Sequence, residues 1–161
     1  MSENRHLLLV DDDPLIVELL AHALARPFPA GTMIHVCDGA EALDYLRASG
    51  VFHDRPPGNP AVVLLDLKMP RIDGLEVLRQ IKADPMLCHI PVVMLTSSRE
   101  ERDVRASYKL GASAYVVKPL DFAEFILVAR QLETFWLATN VPPPGPTGHA
   151  AAASASVAAE T

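Results

Sequence analysis

The chain has 161 residues, half of them hydrophobic, and a formal net charge of −6. That length builds one domain with a proper core and some tail, and the acidic balance argues against a general nucleic-acid binder, which presents a basic face. No apolar run approaches the roughly 20 residues of a membrane span, and the stretch Leu7–Val10, closed by three acids, is too short for a secretory signal, so a cytoplasmic protein with no membrane or nucleic-acid partner is expected. Cys37 and Cys88 are too few for a disulfide framework and stand in no metal-ligand spacing. Both are expected as reduced, mostly buried thiols. The six histidines form no ligand spacing either.

Short apolar runs alternate with helical patterns. Arg5–Val10 reads as a strand, and Pro14–Ala25 as a helix with apolar residues at helical spacing, Pro14 in its first turn and Asp13 as its cap. Thr32–Val36 reads as a second strand, followed by a helix through Ala40, Leu43 and Leu46 that Asp38 caps. Residues 50–60 are turn chemistry throughout. Ala61–Leu65 is a third strand, and a third helix starts near Asp73 and stops before Pro85. Ile90–Leu95 is a fourth strand, Arg99–Leu110 a polar helix ended by Gly111, Ala112–Val117 a fifth strand, and Asp121 caps a long last helix to about Ala138. Strict alternation of this kind predicts an α/β fold in which a five-stranded parallel sheet carries helices on both faces. After Asn140 the composition turns to Pro, Ala, Gly and Ser without an apolar period, which predicts one domain over residues 1–140 and a flexible tail over 141–161.

The residues that follow the strands are chemical. Strand one runs into Asp11, Asp12 and Asp13, strand three into Asp66, strand four into Thr96, Ser97 and Ser98, and strand five into Lys118. In an open parallel sheet, chemistry sits beyond the carboxyl ends of the strands. A single Asp there is more often a helix cap, and a single Lys before Pro is usually at the surface. The four strand ends together carry the functional reading. Converging carboxylates repel one another, and a hard divalent cation with few protein ligands, Mg²⁺, removes that repulsion and leaves room for a phosphate oxygen. A carboxylate is itself a nucleophile that forms an aspartyl phosphate. Lys118 supplies a positive charge and Thr96 a hydroxyl donor to the transferred group, so Asp66 is placed to receive it.

The motifs LLLVDDDP, VVLLDLKMPRIDG, IPVVMLTSS and GASAYVVKPL resemble, in order and spacing, those of the response-regulator receiver domains of two-component signalling, over about residues 5–138. The resemblance implies a doubly wound (βα)5 flavodoxin-like three-layer sandwich with strand order 2-1-3-4-5. It implies Asp66 as phosphoacceptor and Asp11 and Asp12 as the acidic pair, Asp12 being the stronger candidate for direct metal contact. It adds the backbone carbonyl of Lys68 as a further ligand, Thr96 and Tyr115 as the switch pair, and Lys118 on the phosphoryl group. Lys68 and Ser98 stand where the family tunes hydrolysis. The donor is then a sensor histidine kinase, and the chain is a signalling protein that catalyses only its own phosphoryl transfer and dephosphorylation. The 50–60 connection, IKADPMLCHIPVVMLTSS, SYKLGAS and TFWL resemble single-domain regulators paired with phytochrome-type kinases, which implies output through protein contact.

Phe122, Phe125, Ile126, Ala129 and Leu132 form one apolar stripe on the last helix, and Leu127, Val128, Phe135, Trp136 and Leu137 add apolar residues around and beyond it. A helix apolar over more than one face is covered on more than one face, which predicts a homodimer through this helix and the segment to about Pro144, with Phe122, Leu127, Val128, Phe135 and Trp136 as its contacts. Three other readings exist, of which a flavin or nucleotide binder would need a Gly-rich phosphate loop that the sequence lacks. A haloacid-dehalogenase-type phosphatase would use Asp11-x-Asp13, Thr96 and Lys118, but Pro14 and Leu15 stand where that motif continues, and Asp66 is left without a role. A phosphorylation-independent interaction module would not need every chemical position filled.

Overall fold

In the computed structural model, which describes residues 5–24 and 33–144, five strands form one parallel sheet in the order β2-β1-β3-β4-β5. The strands are β1 (Leu7–Val10), β2 (Met33–Val36), β3 (Val62–Leu65), β4 (Val92–Thr96) and β5 (Ala114–Val117). The helices are α1 (Pro14–Ala23), α2 (Gly39–Arg47), α3 (Gly74–Ala83), α4 (Glu101–Lys109) and α5 (Phe122–Glu133). Every residue of β1, β3 and β4 is buried, whereas β5 is half-buried throughout and β2 nearly so. This is the grading that helices on both faces impose on central and edge strands.

Alternate strand residues serve opposite faces. Leu8, Val10, Val63, Leu65, Val92 and Met94 pack against α2 and α3, and α4 lies beside α3. Leu7, Leu9, Val62, Leu64, Val93 and Leu95 pack against α1 and α5. Four helices begin at an aspartate: Asp13, Asp38, Asp73 and Asp121 each accept a backbone N–H of the first turn at 2.9 Å. Each such cap contributes about 1 kcal/mol and sets where its helix leaves the strand before it.

Several bounds differ from the sequence reading. The expected strand starts at Arg5, Ala61, Ile90 and Ala112 lie before the paired segments. Thr96 is the last residue of β4 rather than the residue after it. The turn-rich stretch contains a 3-10 turn at Gly50–Phe52. The last helix does not run unbroken to Ala138: α5 passes at Thr134 into a π-helical turn, Thr134–Thr139, closed by Asn140 N–H donating to the Phe135 carbonyl at 2.6 Å. The Arg5 guanidinium donates to the Leu137 and Asn140 carbonyls, so part of the unpaired end of that turn is satisfied from the start of the chain. The thiols correct an expectation: Cys37 is exposed and Cys88 half-buried, because the core-facing positions beside them are taken by Val36, and by Leu87 and Ile90. Thr32 and Ala25, and the expected tail beyond residue 144, lie outside the described residues.

Candidate functional site

The strand order makes β1 and β3 neighbours at the point where the chain reverses its direction of travel across the sheet, the place where open sheets of this kind carry their chemistry, beyond the carboxyl ends. The ladder continues one residue past each of three strands. Asp11 N–H donates to Val36 O, Asp66 N–H to Val10 O, and Lys118 N–H to Thr96 O. Asp11, Asp66 and Lys118 therefore sit on the last rung of the sheet.

Carboxylate oxygens of Asp11, Asp12 and Asp66 lie within 4.8 Å of one another. Asp11 is fully buried, Asp66 is buried, and Asp12 is exposed. The Lys118 ammonium, itself buried, lies 2.7 Å from Asp11 Oδ2 and 3.4 Å from Asp66 Oδ2. The remaining oxygens of the buried pair are held by backbone: Asp11 Oδ1 accepts the Asp13 N–H and Asp66 Oδ1 the Leu67 N–H. Asp12 has no hydrogen-bond or ion-pair partner among the described residues. Burial pushes the Asp66 carboxyl up; the Lys118 charge pulls it back and the Asp11 charge pushes it further up. Three carboxylates against one ammonium leave two negative charges uncompensated, and the one acid without a partner faces outward.

Thr96 is buried, and its hydroxyl accepts the Ser98 N–H at 3.3 Å rather than bonding to the acids. Tyr115, half-buried opposite Met94, donates its hydroxyl to the Ser98 carbonyl at 3.0 Å. The Lys68 side chain is exposed in the β3–α3 connection. Of the residues the sequence reading names, the structure has Asp11, Asp12, Asp66 and Lys118 in one pocket, Thr96 bonded to Lys118 through the backbone, and Tyr115 joined to Thr96 through Ser98.

The sequence reading missed three features of that pocket. Gly74, at the start of α3, leaves no room for a side chain: a Cβ there would lie 2.1 Å from the Asp66 carbonyl oxygen. The Asp-Gly pair before an apolar helix was the available signal. Arg71 takes a left-handed backbone, φ 67°, and its guanidinium pairs with Asp38 at 3.6 Å, which ties the β3–α3 connection to the start of α2. His35 Nε2 lies 2.8 Å from the Asp11 carbonyl. A carbonyl only accepts, so that nitrogen carries the proton. Nothing local in the sequence announces this contact.

A sequence model described as the response regulator receiver domain matches residues 7–130. The chain belongs to the response regulator receiver family. It is a phosphoacceptor signalling protein rather than a stand-alone enzyme, which sets aside the phosphatase reading. Response regulator Rcp1 of Synechocystis sp. is 37% identical over 133 residues, 83% of this chain and 89% of its own. The solved Mn²⁺-bound form of Rcp1 superposes with a TM-score of 0.80 at 36% identity, over 87% of this chain and 99% of that one. The phosphorylated cyanobacterial phytochrome response regulator RcpA gives 0.81 at 36%, with the same coverage. The bacteriophytochrome response regulator AtBRR is 53% identical over 83% of this chain and 96% of its own, with a TM-score of 0.67. The match ends at residue 130, within α5, so the end of that helix and the π turn lie beyond it. No described helix is long and apolar enough to cross a membrane.

Proposed function

We propose that Asp66 is the phosphoacceptor. Its carboxylate attacks the phosphorus of a phosphohistidine on a sensor histidine kinase; the P–O bond forms as the P–N bond breaks, and the imidazole leaves with a proton. The observation that carries this reading is the charge balance of the pocket: Asp66 shares Lys118 with Asp11, and two negative charges remain. A divalent cation complements that balance. We assign Mg²⁺, held by Asp11, Asp12, Asp66 and the Lys68 backbone carbonyl, a small set of hard oxygen donors. When bound, it offsets charge on the phosphoryl oxygens. Lys118 holds one phosphoryl oxygen and Thr96 donates its hydroxyl to another; Tyr115 then repacks, and the surface of α4, β5 and α5 changes with it. The chain's own catalysis extends to loss of the phosphoryl group as well as its uptake.

The donor in this reading is a kinase of the phytochrome type, supported by the similarity to Rcp1, RcpA and AtBRR. Leu15, Leu120 and Phe122 are exposed within a few residues of Asp12 and Lys118, which gives the partner apolar footholds beside the pocket. A donor charged from ATP puts the exchange in the cytoplasm. Output is by protein contact, and a homodimer through α5 and the segment to Pro144 is its form. Leu127 and Phe135 are 58% and 48% exposed and lie two turns apart on one side. A recess of about 350 Å³, lined by Arg130, Gln131, Thr134, Phe135 and Thr139, adjoins them. Phe122 is exposed too, while Val128 and Trp136 are half-buried. Trp136 packs on the α1–α5 core and edge-on to Phe135, so it supports the face more than it forms it.

Intact mass after incubation with Mg²⁺ and acetyl phosphate tests the central assignment. Wild type gains one phosphoryl group and Asp66→Asn gains none. Labelling of Asp66→Asn overturns it, and recovery of the group on Asp11 restores the phosphatase reading.

A further inference from the structure

Every polar group of Ser98 is engaged, and each bond leads to a different part of the switch. Its N–H donates to Thr96 Oγ1 at 3.3 Å, and its carbonyl accepts the Tyr115 hydroxyl at 3.0 Å. Its own hydroxyl donates to Asp103 Oδ2 at 2.5 Å and accepts the Glu100 N–H at 3.3 Å. Ser98 is buried. Asp103 belongs to the first turn of α4, a helix whose N-cap, Glu100, makes no side-chain cap bond.

The directions of these bonds are fixed by chemistry. A carboxylate only accepts, so the single Ser98 proton goes to Asp103, and a lone pair is left for Glu100. A hydrogen bond to a charged acceptor is about twice as strong as a neutral one, so the Asp103 contact dominates the set and fixes how the residue sits. With Ser98 so fixed, its N–H points at Thr96 Oγ1. The Thr96 hydroxyl, already accepting there, keeps its one proton for another acceptor.

We propose that Asp103 is a positioning residue for the phosphoryl transfer: through Ser98 it aims the Thr96 hydroxyl at the transferred group and holds the acceptor that Tyr115 uses. The inference rests on the reading of Thr96 as the phosphoryl-group donor. Without Asp103, Ser98 is free to turn, the Thr96 hydroxyl loses its fixed direction, and Tyr115, which also feels the Asp103 charge, loses its carbonyl.

Two readouts test it on the full chain: the rate of phosphoryl uptake from acetyl phosphate with Mg²⁺, and the fluorine resonance of Tyr115. That resonance is read in 3-fluorotyrosine-labelled protein, where three tyrosines give three signals. Asp103→Ala slows uptake about tenfold or more, the range of one lost hydrogen bond to a charged group, and moves the Tyr115 signal in the unphosphorylated protein. Asp103→Asn keeps an acceptor oxygen without the charge, and recovers most of the rate and the signal. A role limited to placing negative charge at the α4 N-terminus predicts no recovery. Ser98→Ala matches Asp103→Ala, and the double variant is no slower than either alone. Uptake by Asp103→Ala within twofold of wild type, failure of Asn to recover, or additive single variants overturn the proposal. Should Asp103→Ala fail to fold, Asp103→Asn and Ser98→Ala decide it alone. If wild type takes up no phosphoryl group, the phosphoacceptor reading fails. The Tyr115 signal then still decides whether Asp103 holds Ser98: movement with recovery in Asn upholds that hold, and a still signal overturns it.

Discussion

The Lys118 ammonium bridges Asp11, at 2.7 Å, and Asp66, at 3.4 Å, in a pocket where all three side chains are at most a tenth exposed. The bridge is a compromise between two buried acids that each need a cation. Removing the lysine leaves both carboxylates in low dielectric without it. Lys118→Met therefore costs about 3–5 kcal/mol in metal-free buffer, the usual range for breaking a buried pair from one side. Added Mg²⁺ returns part of that in a thermal melt, since the cation neutralises the same acids. A melting point that is unchanged by the substitution in chelator refutes the view that the pair is energetically engaged.

The same geometry gives Asp66→Asn the opposite sign. Burial raises the Asp66 carboxyl above its ordinary value of 3.8, with Asp11 adding to the rise and Lys118 opposing it. The folded state thus holds that proton more tightly than the unfolded state, and its contribution to stability declines as pH rises through the raised value. Asparagine keeps the oxygen that accepts the Leu67 N–H and carries no charge. At neutral pH without metal, Asp66→Asn melts a few degrees higher than wild type, and added Mg²⁺ stabilises it less. A lower melting point for the variant in chelator contradicts this.

Glu133 is a second buried acid, unrelated to the phosphoryl pocket. It is 1% exposed at the end of α5, and its Oε1 has no hydrogen-bond partner among the described residues. Burial pushes its carboxyl up to about 7, against the pull of the Arg130 guanidinium. The folded protein keeps this proton where the unfolded chain has lost it, so stability falls as pH rises from the ordinary glutamate range of 4.5 to about 7. Glu133→Gln removes that decline and is more stable than wild type at slightly alkaline pH, because it buries no charge there. Melting curves of both proteins from about pH 5 to about pH 8 check it: parallel curves mean that Glu133 is solvated in solution.

These residues show how far the sequence could be read. The five strands, the four aspartate caps and the strand-end chemistry follow from local pattern, because period, cap and terminus are each written within a few residues. Thr96 was placed one residue too late because a hydroxyl ends an apolar run by composition while still pairing in the ladder with Val117. The break of α5 at Thr134 is invisible because Phe135, Trp136 and Leu137 prolong its apolar pattern. Nothing in the local sequence singles out Glu133 or His35. Their environments are made by segments far away in the chain, and no local period encodes them.

The proposed homodimer depends on one side of α5. Leu127 and Phe135 are exposed there and reach no core cluster, so a charge at either position costs the fold little. Leu127→Asp and Phe135→Asp should each leave the melting point within about 0.5 kcal/mol of wild type, as surface changes do, and turn a dimer into a monomer by light scattering after size exclusion. Trp136→Ala, which empties part of the α1–α5 core, should lower stability as well as association. Wild type that elutes as a monomer at micromolar concentration, phosphorylated or not, defeats the dimer.

Gly74→Ala separates packing from chemistry. The added Cβ would stand 2.1 Å from the Asp66 carbonyl oxygen and 2.8 Å from Leu67 Cα, both backbone atoms with nowhere to turn. Gly74 N–H also donates to the Leu67 carbonyl at 2.8 Å, so α3 cannot retreat without breaking that bond. The strain falls on the segment that carries Asp66 and Lys68. Gly39→Ala is the natural control: its Cβ would meet Val77 Cγ2 at 2.5 Å and the Ile72 carbonyl at 2.9 Å, on the α2 side of the same connection. Both substitutions overpack, at about 1–3 kcal/mol or somewhat more. Only Gly74→Ala displaces Asp66, the proposed acceptor, and a misplacement of about 1 Å at a reacting centre costs on the order of a hundredfold in rate. Phosphoryl uptake measured below both melting points should therefore fall far more for Gly74→Ala than for Gly39→Ala. Equal losses would mean that the close approach of α3 to Asp66 serves stability alone.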